Sequence, residues 1–144
     1  YAGLSPRTDA TVLAELCDEL GYEPCTFDAS DATGVPVYHT NVLLSVGALI
    51  PRKRHDLVIR ALPLIENAML LIAGEGPELG ALRQLSSGLG VQNRVRFLGG
   101  VAHQQLAEIY TAADALVLAS TREGWANVLL EAMACGTPAI ATNV

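Results

Sequence analysis

The stretch Arg122-Glu123-Gly124-Trp125-Ala126-Asn127-Val128-Leu129-Leu130-Glu131-Ala132-Met133-Ala134-Cys135-Gly136-Thr137-Pro138-Ala139-Ile140-Ala141-Thr142 encodes a loop, a helix, a helix stop and a short strand, in that order. The apolar run from Asn127 to Ala134 predicts the helix, and Gly136 lies just past its end, where a glycine commonly closes a helix. Ala139 to Ala141 predicts the strand. Glu123 and Glu131 stand eight positions apart. Glu123 falls in the loop and Glu131 about one turn along the helix, at roughly 3.6 residues per turn. A helix start offers free N–H groups and a positive dipole end, which suit a phosphate. An ionised carboxylate only accepts hydrogen bonds, which suits hydroxyl groups. The segment is therefore equipped for a ligand that carries both hydroxyls and phosphates.

Outward from this segment, helices alternate with short apolar strands. Strands are predicted at Glu23–Asp28, Val37–Val46, Ala68–Ala73, Val95–Leu98, Ala115–Leu118 and Ala139–Ala141. Their interiors are continuous apolar runs such as Met69-Leu70-Leu71-Ile72-Ala73, as a sheet covered on both faces requires. Amphipathic segments lie between them: Thr8–Leu20, stopped by Gly21; Asp56–Ile65; Pro77–Leu89; and His103–Ala112. Pro63 lies inside the second of these and should kink that helix or end it early. The expected fold is α/β: a doubly wound, mainly parallel sheet of five to six strands with helices on both faces, in a single domain.

The 144 residues suffice for one domain with a proper core. Hydrophobic residues make up 51% and charged residues 17%, a balance that excludes disorder. A net charge of −6 argues against nucleic-acid partners, whose binding rests on many basic phosphate contacts. Cys17, Cys25 and Cys135 are odd in number and lack metal-ligand spacing. They read as buried small residues in a reducing compartment, so a cytoplasmic location is expected. No Asp-x-Asp or other metal site is visible. The longest apolar run, Val42 to Ile50, is too short to span a bilayer, and no signal peptide is evident. The chain starts at Tyr1 and not at Met, as an excised fragment would.

Glu-Gly-Trp-Ala-Asn and Glu-Ala-Met-Ala-Cys-Gly-Thr-Pro resemble the E-x7-E signature of family 4 glycosyltransferases. That signature lies in the donor-binding, Rossmann-like half of the two-domain GT-B fold. A lone E-x7-E would read as two solvated acids on a surface helix; several further motifs in the family's order, from about Leu44 to Val144, decide against that. Residues 44–144 are thus expected to be a donor-nucleotide-binding domain that stops before the closing helices.

The resemblance assigns roles residue by residue. Lys53, in the turn Pro51-Arg52-Lys53-Arg54-His55-Asp56 that follows Ser45-Val46-Gly47, would contact the donor diphosphate, with Gly47 and Arg52 beside it. Without the motif order, three adjacent basic residues would read as a solvated cluster. Ala73-Gly74-Glu75-Gly76-Pro77 resembles the family's Gly-x-Gly-Pro turn, and Gly74 and Gly76 would let the backbone approach the ligand. The base would meet backbone near Gly100 and Val101. Glu123 would accept hydrogen bonds from the donor sugar. Gly124, Trp125, Ala126 and Asn127 would bring backbone N–H groups to sugar and phosphate, and Glu131 would bind the ribose hydroxyls. Trp125 is alternatively plain core. Glu108 and Asp114 read as solvated or capping acids.

The family reaction retains the anomeric configuration and needs no bound cofactor or divalent ion; a nucleoside diphosphate sugar is the donor substrate. Glu123 and Lys53 would be the catalytic pair, acting by positioning and by stabilising the leaving group. Two departures stand out. Ala48 replaces an Arg that helps hold the diphosphate in many members, at a cost of roughly 1.5–3 kcal/mol unless Arg52 or Arg54 compensates. Arg54 replaces a common Gly. The acceptor-binding half does not precede Leu44. Weak nucleotide or sugar-nucleotide binding without transfer is therefore expected. Self-association is expected through an exposed sheet edge or the face of the missing half.

Residues 1–43 differ in character. Ala2-Gly3-Leu4-Ser5-Pro6-Arg7-Thr8-Asp9 and Tyr38-His39-Thr40-Asn41-Val42 resemble the amidinotransferase and dimethylarginine-hydrolase superfamily. His39 matches that superfamily's acid/base histidine, a role imidazole suits by titrating near neutrality. The only late cysteine, Cys135, reads as a packed residue at a helix end and not as the nucleophile. The two resemblances share Asn41-Val42-Leu43-Leu44-Ser45-Val46-Gly47, so a chimera joined through a common strand is one expectation, with the first segment's strand extending the second's sheet. The alternatives to a donor-binding domain are an engineered or recombined α/β scaffold without activity, and an amidinotransferase-type remnant.

Overall fold

The computed structural model describes Ala2–Leu4, Thr26–Asp28 and residues 41–143. The chain divides into two compact units, Tyr1–Thr40 and Asn41–Val144. In the first, β1 (Ala2–Leu4) pairs in parallel with β2 (Thr26–Asp28). Of the strand expected at Glu23–Asp28, the described residues Thr26–Asp28 form β2. The helix expected at Thr8–Leu20, the strand start at 37–40, and His39, Cys17 and Cys25 lie outside the described residues.

The second unit is an α/β domain built on five parallel strands: β3 (Asn41–Val46), β4 (Ala68–Ala73), β5 (Val95–Gly99), β6 (Ala115–Leu118) and β7 (Ala139–Ala141). Their spatial order is β5-β4-β3-β6-β7. The chain moves outward from β3 through β4 to β5, then returns to the other side of β3 as β6. Because all strands run parallel, every loop that follows a strand emerges at the same edge.

The strand interiors alternate between two cores, as the period of two demands. Leu43, Leu70 and Ile72 face one cluster, with Val58, Ile59, Leu62 and Leu82 from α1 (His55–Ala61) and α2 (Leu79–Gly88) and the turn after α1. Leu44, Val46 and Leu71 face the other, with Tyr110 and Ala132 from α3 (His103–Ala112) and α4 (Asn127–Ala134). Each fully buried Leu or Ile contributes roughly 1.5–3 kcal/mol. The sheet is therefore covered on both faces, as its unbroken apolar runs predict.

Pro63 acts as expected. α1 ends at Ala61, and the chain continues as a 3-10 turn, Leu62–Leu64. A proline there cannot donate the next helical hydrogen bond. α2 starts at Leu79, two residues after Pro77. Its expected stripe is buried at Leu82 and half-buried at Leu79 and Leu85, but Leu89 at the end is 37% exposed. β7, with Ile140 at its centre, is exposed along its whole length, and Leu130 and Met133 of α4 are exposed as well. Among the described residues, no helix is long and apolar enough to cross a membrane.

Candidate donor-binding crevice

The reversal of strand order between β3 and β6 opens a crevice outside their carboxyl ends, where open α/β sheets bind ligands. The loop after β3 carries Gly47, Arg52 and Lys53; the loop after β6 carries Glu123, Gly124 and Trp125. The two loops are joined. The Thr121 N–H donates to the Arg52 carbonyl at 2.9 Å. Lys53 Nζ donates to Glu123 Oε1 at 2.7 Å, with the two side chains only 16% and 14% exposed. Burial acts to raise the Glu123 carboxyl, but the Lys53 hydrogen bond and the charges of Lys53 and Arg52 outweigh it and hold it below the usual carboxylate range. Ser120 Oγ also favours the ionised form, although it is buried and makes no well-formed hydrogen bond among the described residues.

Gly47 permits this reach, because a Cβ there would sit 3.3 Å from Lys53 Cε. The Lys53 stem passes directly over the glycine. Gly74 and Gly76 also allow two loops to pack closely. Added Cβ atoms would fall 1.9 Å from the Gly47 carbonyl oxygen and 2.5 Å from that of Leu49. Both glycines lie at positive φ, 149° and 159°. The loop after β4 is thus packed onto the loop after β3, and the Leu49 N–H to Glu75 carbonyl bond of 2.8 Å ties them. Glu75 Oε1 accepts the Gly100 N–H at 3.3 Å and so holds the loop that carries Val101, whose half-buried side chain packs against the second core.

Beside Lys53, Arg54 adopts φ 51°, ψ 40°, a left-handed conformation that suits the glycine it replaces. Its guanidinium is bound to Asp56 at 2.9 Å, which leaves Arg52 as the cation of that turn without an ion pair among the described residues. His55 was not evident as a site-building residue in the sequence. Its buried ring bonds Ser45 Oγ through Nδ1 at 2.9 Å and meets the Ala48 carbonyl through Nε2 at 3.3 Å, fixing the loop at Ala48. Burial lowers its pKa, against the Ala48 and Gly47 carbonyls that favour the proton.

α4 begins at Asn127 as expected, with no side-chain cap on its first turn. The Asn127 N–H is taken by the Trp125 carbonyl at 3.1 Å. Trp125 is 77% exposed, which rules out the plain-core alternative. Glu131 is half-buried and accepts the Tyr110 hydroxyl on Oε2 at 2.8 Å. Cys135 closes α4, half-buried against the second core, with its N–H on the Glu131 and Ala132 carbonyls. Asp114 ties β3, accepting the Val42 N–H at 2.7 Å, while Glu108 is exposed.

Residues 33–144 match the family described as glycosyl transferases group 1. The chain belongs to that family. The first part, residues 1–51, also matches a family described as N,N dimethylarginine dimethylhydrolase, eukaryotic. Among relatives of this chain, an uncharacterized glycosyltransferase of Methanocaldococcus jannaschii is 42% identical over 106 residues, 72% of this chain and 27% of the relative. D-inositol 3-phosphate glycosyltransferase of Mycolicibacterium smegmatis is 35% identical over 130 residues, 85% and 30% of the two chains. The chain therefore spans about a third or less of the length of such relatives. Anabaena HepE in complex with UDP and glucose shares the fold with a TM-score of 0.70 and 26% identity, over 100% of this chain and 37% of HepE. The catalytic domain of cholesterol-alpha-glucosyltransferase from Helicobacter pylori gives 0.67 and 28%, over 72% and 65%.

Proposed function

We propose that residues 41–144 are the nucleotide-sugar binding portion of a retaining, hexosyl-transferring GT-B glycosyltransferase. The observation that carries this reading is the Lys53–Glu123 pair across the β3/β6 crevice, which sets a cation for diphosphate beside an acceptor for sugar hydroxyls. The structural likeness to HepE, seen with UDP and glucose, supports uridine as the base to test first.

In the proposed complex, Lys53 turns from Glu123 to the diphosphate and neutralises charge that grows as the sugar departs. Glu123, released, accepts from the sugar hydroxyls. Arg52 supplies the second cation that Ala48 does not. The loop Gly124–Trp125–Ala126 and the uncapped start of α4 offer backbone N–H groups to the phosphates. Glu131 takes the ribose hydroxyls, and the backbone near Val101 meets the base. The isolated chain binds the donor without transferring it, because acceptor positioning needs a second domain.

Thermal unfolding with UDP, GDP and ADP tests the reading, since a ligand that binds only the folded state stabilises it by mass action. The expected result is a rise for one nucleotide, lost in Glu131→Ala. No rise at millimolar nucleotide, in a cooperatively folded chain, would leave an inactive recombined scaffold as the better account. For the first forty residues, the match over 1–51 supports a separate, dimethylarginine-hydrolase-like origin and hence a chimeric chain. We read Cys135, which packs against the second core at a helix end, as a packing residue and not as a nucleophile. Citrulline release from dimethylarginine by the purified chain would contradict this.

A further inference from the structure

Tyr110 stands outside every motif assigned to donor binding, yet its hydroxyl ends on the carboxylate proposed for the ribose. It is buried in the second core at 1% exposure, packed with Leu44, Val46, Ala73, Leu116 and Ala132. The ring starts on α3 and reaches across to α4, where its hydroxyl donates to Glu131 Oε2 at 2.8 Å. Its backbone carbonyl is held in turn by the buried Thr137 hydroxyl, just before β7.

Resting on the donor-binding reading above, we infer that Tyr110 is the positioning residue that aims Glu131 at the ribose. A glutamate has three side-chain torsions and, half in water, samples several rotamers. A carboxylate has about four lone-pair sites on its two oxygens. The Tyr110 proton occupies one of them on Oε2 and leaves Oε1 open to accept from sugar hydroxyls. The tether is rigid because it is set by the core and not by another surface side chain. A buried tyrosine hydroxyl needs a partner, and among the described residues Glu131 is the one this hydroxyl has. Burial first, and the Glu131 carboxylate second, raise the Tyr110 pKa, so the phenol stays protonated and keeps donating. The arrangement recruits packing energy far from the ligand to fix the rotamer of a ligand-binding group, which lowers the ordering cost of binding.

The test compares UDP with 2′,3′-dideoxyuridine 5′-diphosphate, which keeps the base and both phosphates but lacks the ribose hydroxyls. Calorimetric titrations use the full chain and its Tyr110→Phe and Thr137→Val variants, each checked for a cooperative melt. The wild type is expected to prefer UDP by roughly fivefold to tenfold, one hydrogen-bonded contact's worth. Tyr110→Phe should lose at least threefold on UDP while its affinity for the dideoxy compound changes less than 1.5-fold. Thr137→Val, which loosens the far end of the tether, should fall between. A Tyr110→Phe variant in which both ligands weaken alike, or neither does, overturns the inference, because a residue that merely packs cannot distinguish them. Equal wild-type affinity for the two ligands also overturns it while leaving nucleotide binding intact. Binding of neither by the wild type removes the donor reading itself and the role of Tyr110 with it.

Discussion

Lys53 Nζ and Glu123 Oε1 lie 2.7 Å apart although 70 residues separate them in the chain. The pair links the two loops on either side of the point where the strand order reverses. Each satisfies the other's charge. Under the proposed function, a diphosphate sugar would offer both of them replacements: phosphate oxygens for the ammonium and hydroxyls for the carboxylate.

Breaking the pair should separate stability from binding. Both side chains keep some solvent access, so a double-mutant cycle on Lys53→Ala and Glu123→Ala is expected to give a coupling of roughly 1 kcal/mol in denaturant unfolding. UDP affinity should fall about tenfold for Lys53→Ala, because a charge-assisted contact is lost. A Lys53→Ala chain that binds UDP as tightly as the wild type would remove Lys53 from the site.

Stability should depend on pH through His55. Burial holds its folded pKa below the ordinary value of about 6.5. As pH falls through that value, the unfolded chain takes up a proton that the folded chain refuses. Stability is thus complete above it and declines as pH falls toward the folded pKa. Glu123 and Asp56, whose carboxyls are held low, lose their contribution only at lower pH. The Tm of the wild type should drop between pH 7.5 and 5.5. His55→Gln should start lower and show a flatter slope in that window; an unchanged slope would point to another group.

Two glycines near the crevice should respond differently. In Gly74→Ala the new methyl would lie 1.9 Å from the Gly47 carbonyl oxygen, at φ 149°. The two loops must part, and a loss of more than about 3 kcal/mol is expected. A Cβ on Gly124 meets nothing within 4 Å. Gly124→Ala should keep the wild-type Tm, and any effect should appear in nucleotide-sugar affinity alone. Chemical denaturation of both variants reads the difference.

Trp125 is the chain's one tryptophan and is 77% exposed beside Glu123 in sequence. Its emission should therefore resemble that of a hydrated indole and change saturably as UDP-glucose is added. Glu123→Ala should move the titration midpoint roughly tenfold to higher concentration. Emission that ignores the ligand while calorimetry records binding would place the sugar away from this loop.

Much of the fold was legible because it rests on periodicity. The unbroken apolar runs at Ala68–Ala73 and Ala115–Leu118, and the break at Pro63, follow from local physics and appear in the structure. The pairing of β2 with β1 was not legible, since a three-residue strand carries no partner information in its own sequence. The site divides the same way. Motif order marked Lys53, Glu123 and Glu131. It gave no sign that Lys53 and Glu123 bond each other, that Gly74 and Gly76 answer to the neighbouring loop's carbonyls, or that Arg54 is turned away onto Asp56. Those facts depend on loops brought together by the sheet. Tyr110 falls inside the amphipathic segment His103–Ala112, a setting that its burial fits and its hydroxyl exceeds.

The most direct measurement is a map of backbone amide chemical shifts in the labelled chain as UDP is added. The account predicts saturable changes at Gly47, Lys53, Gly100, Val101, Ser120, Glu123 to Asn127 and Glu131, with the β5 edge around Val95 and Arg96 unmoved. Changes confined to that edge, or none at millimolar UDP, would contradict a donor site in the β3/β6 crevice.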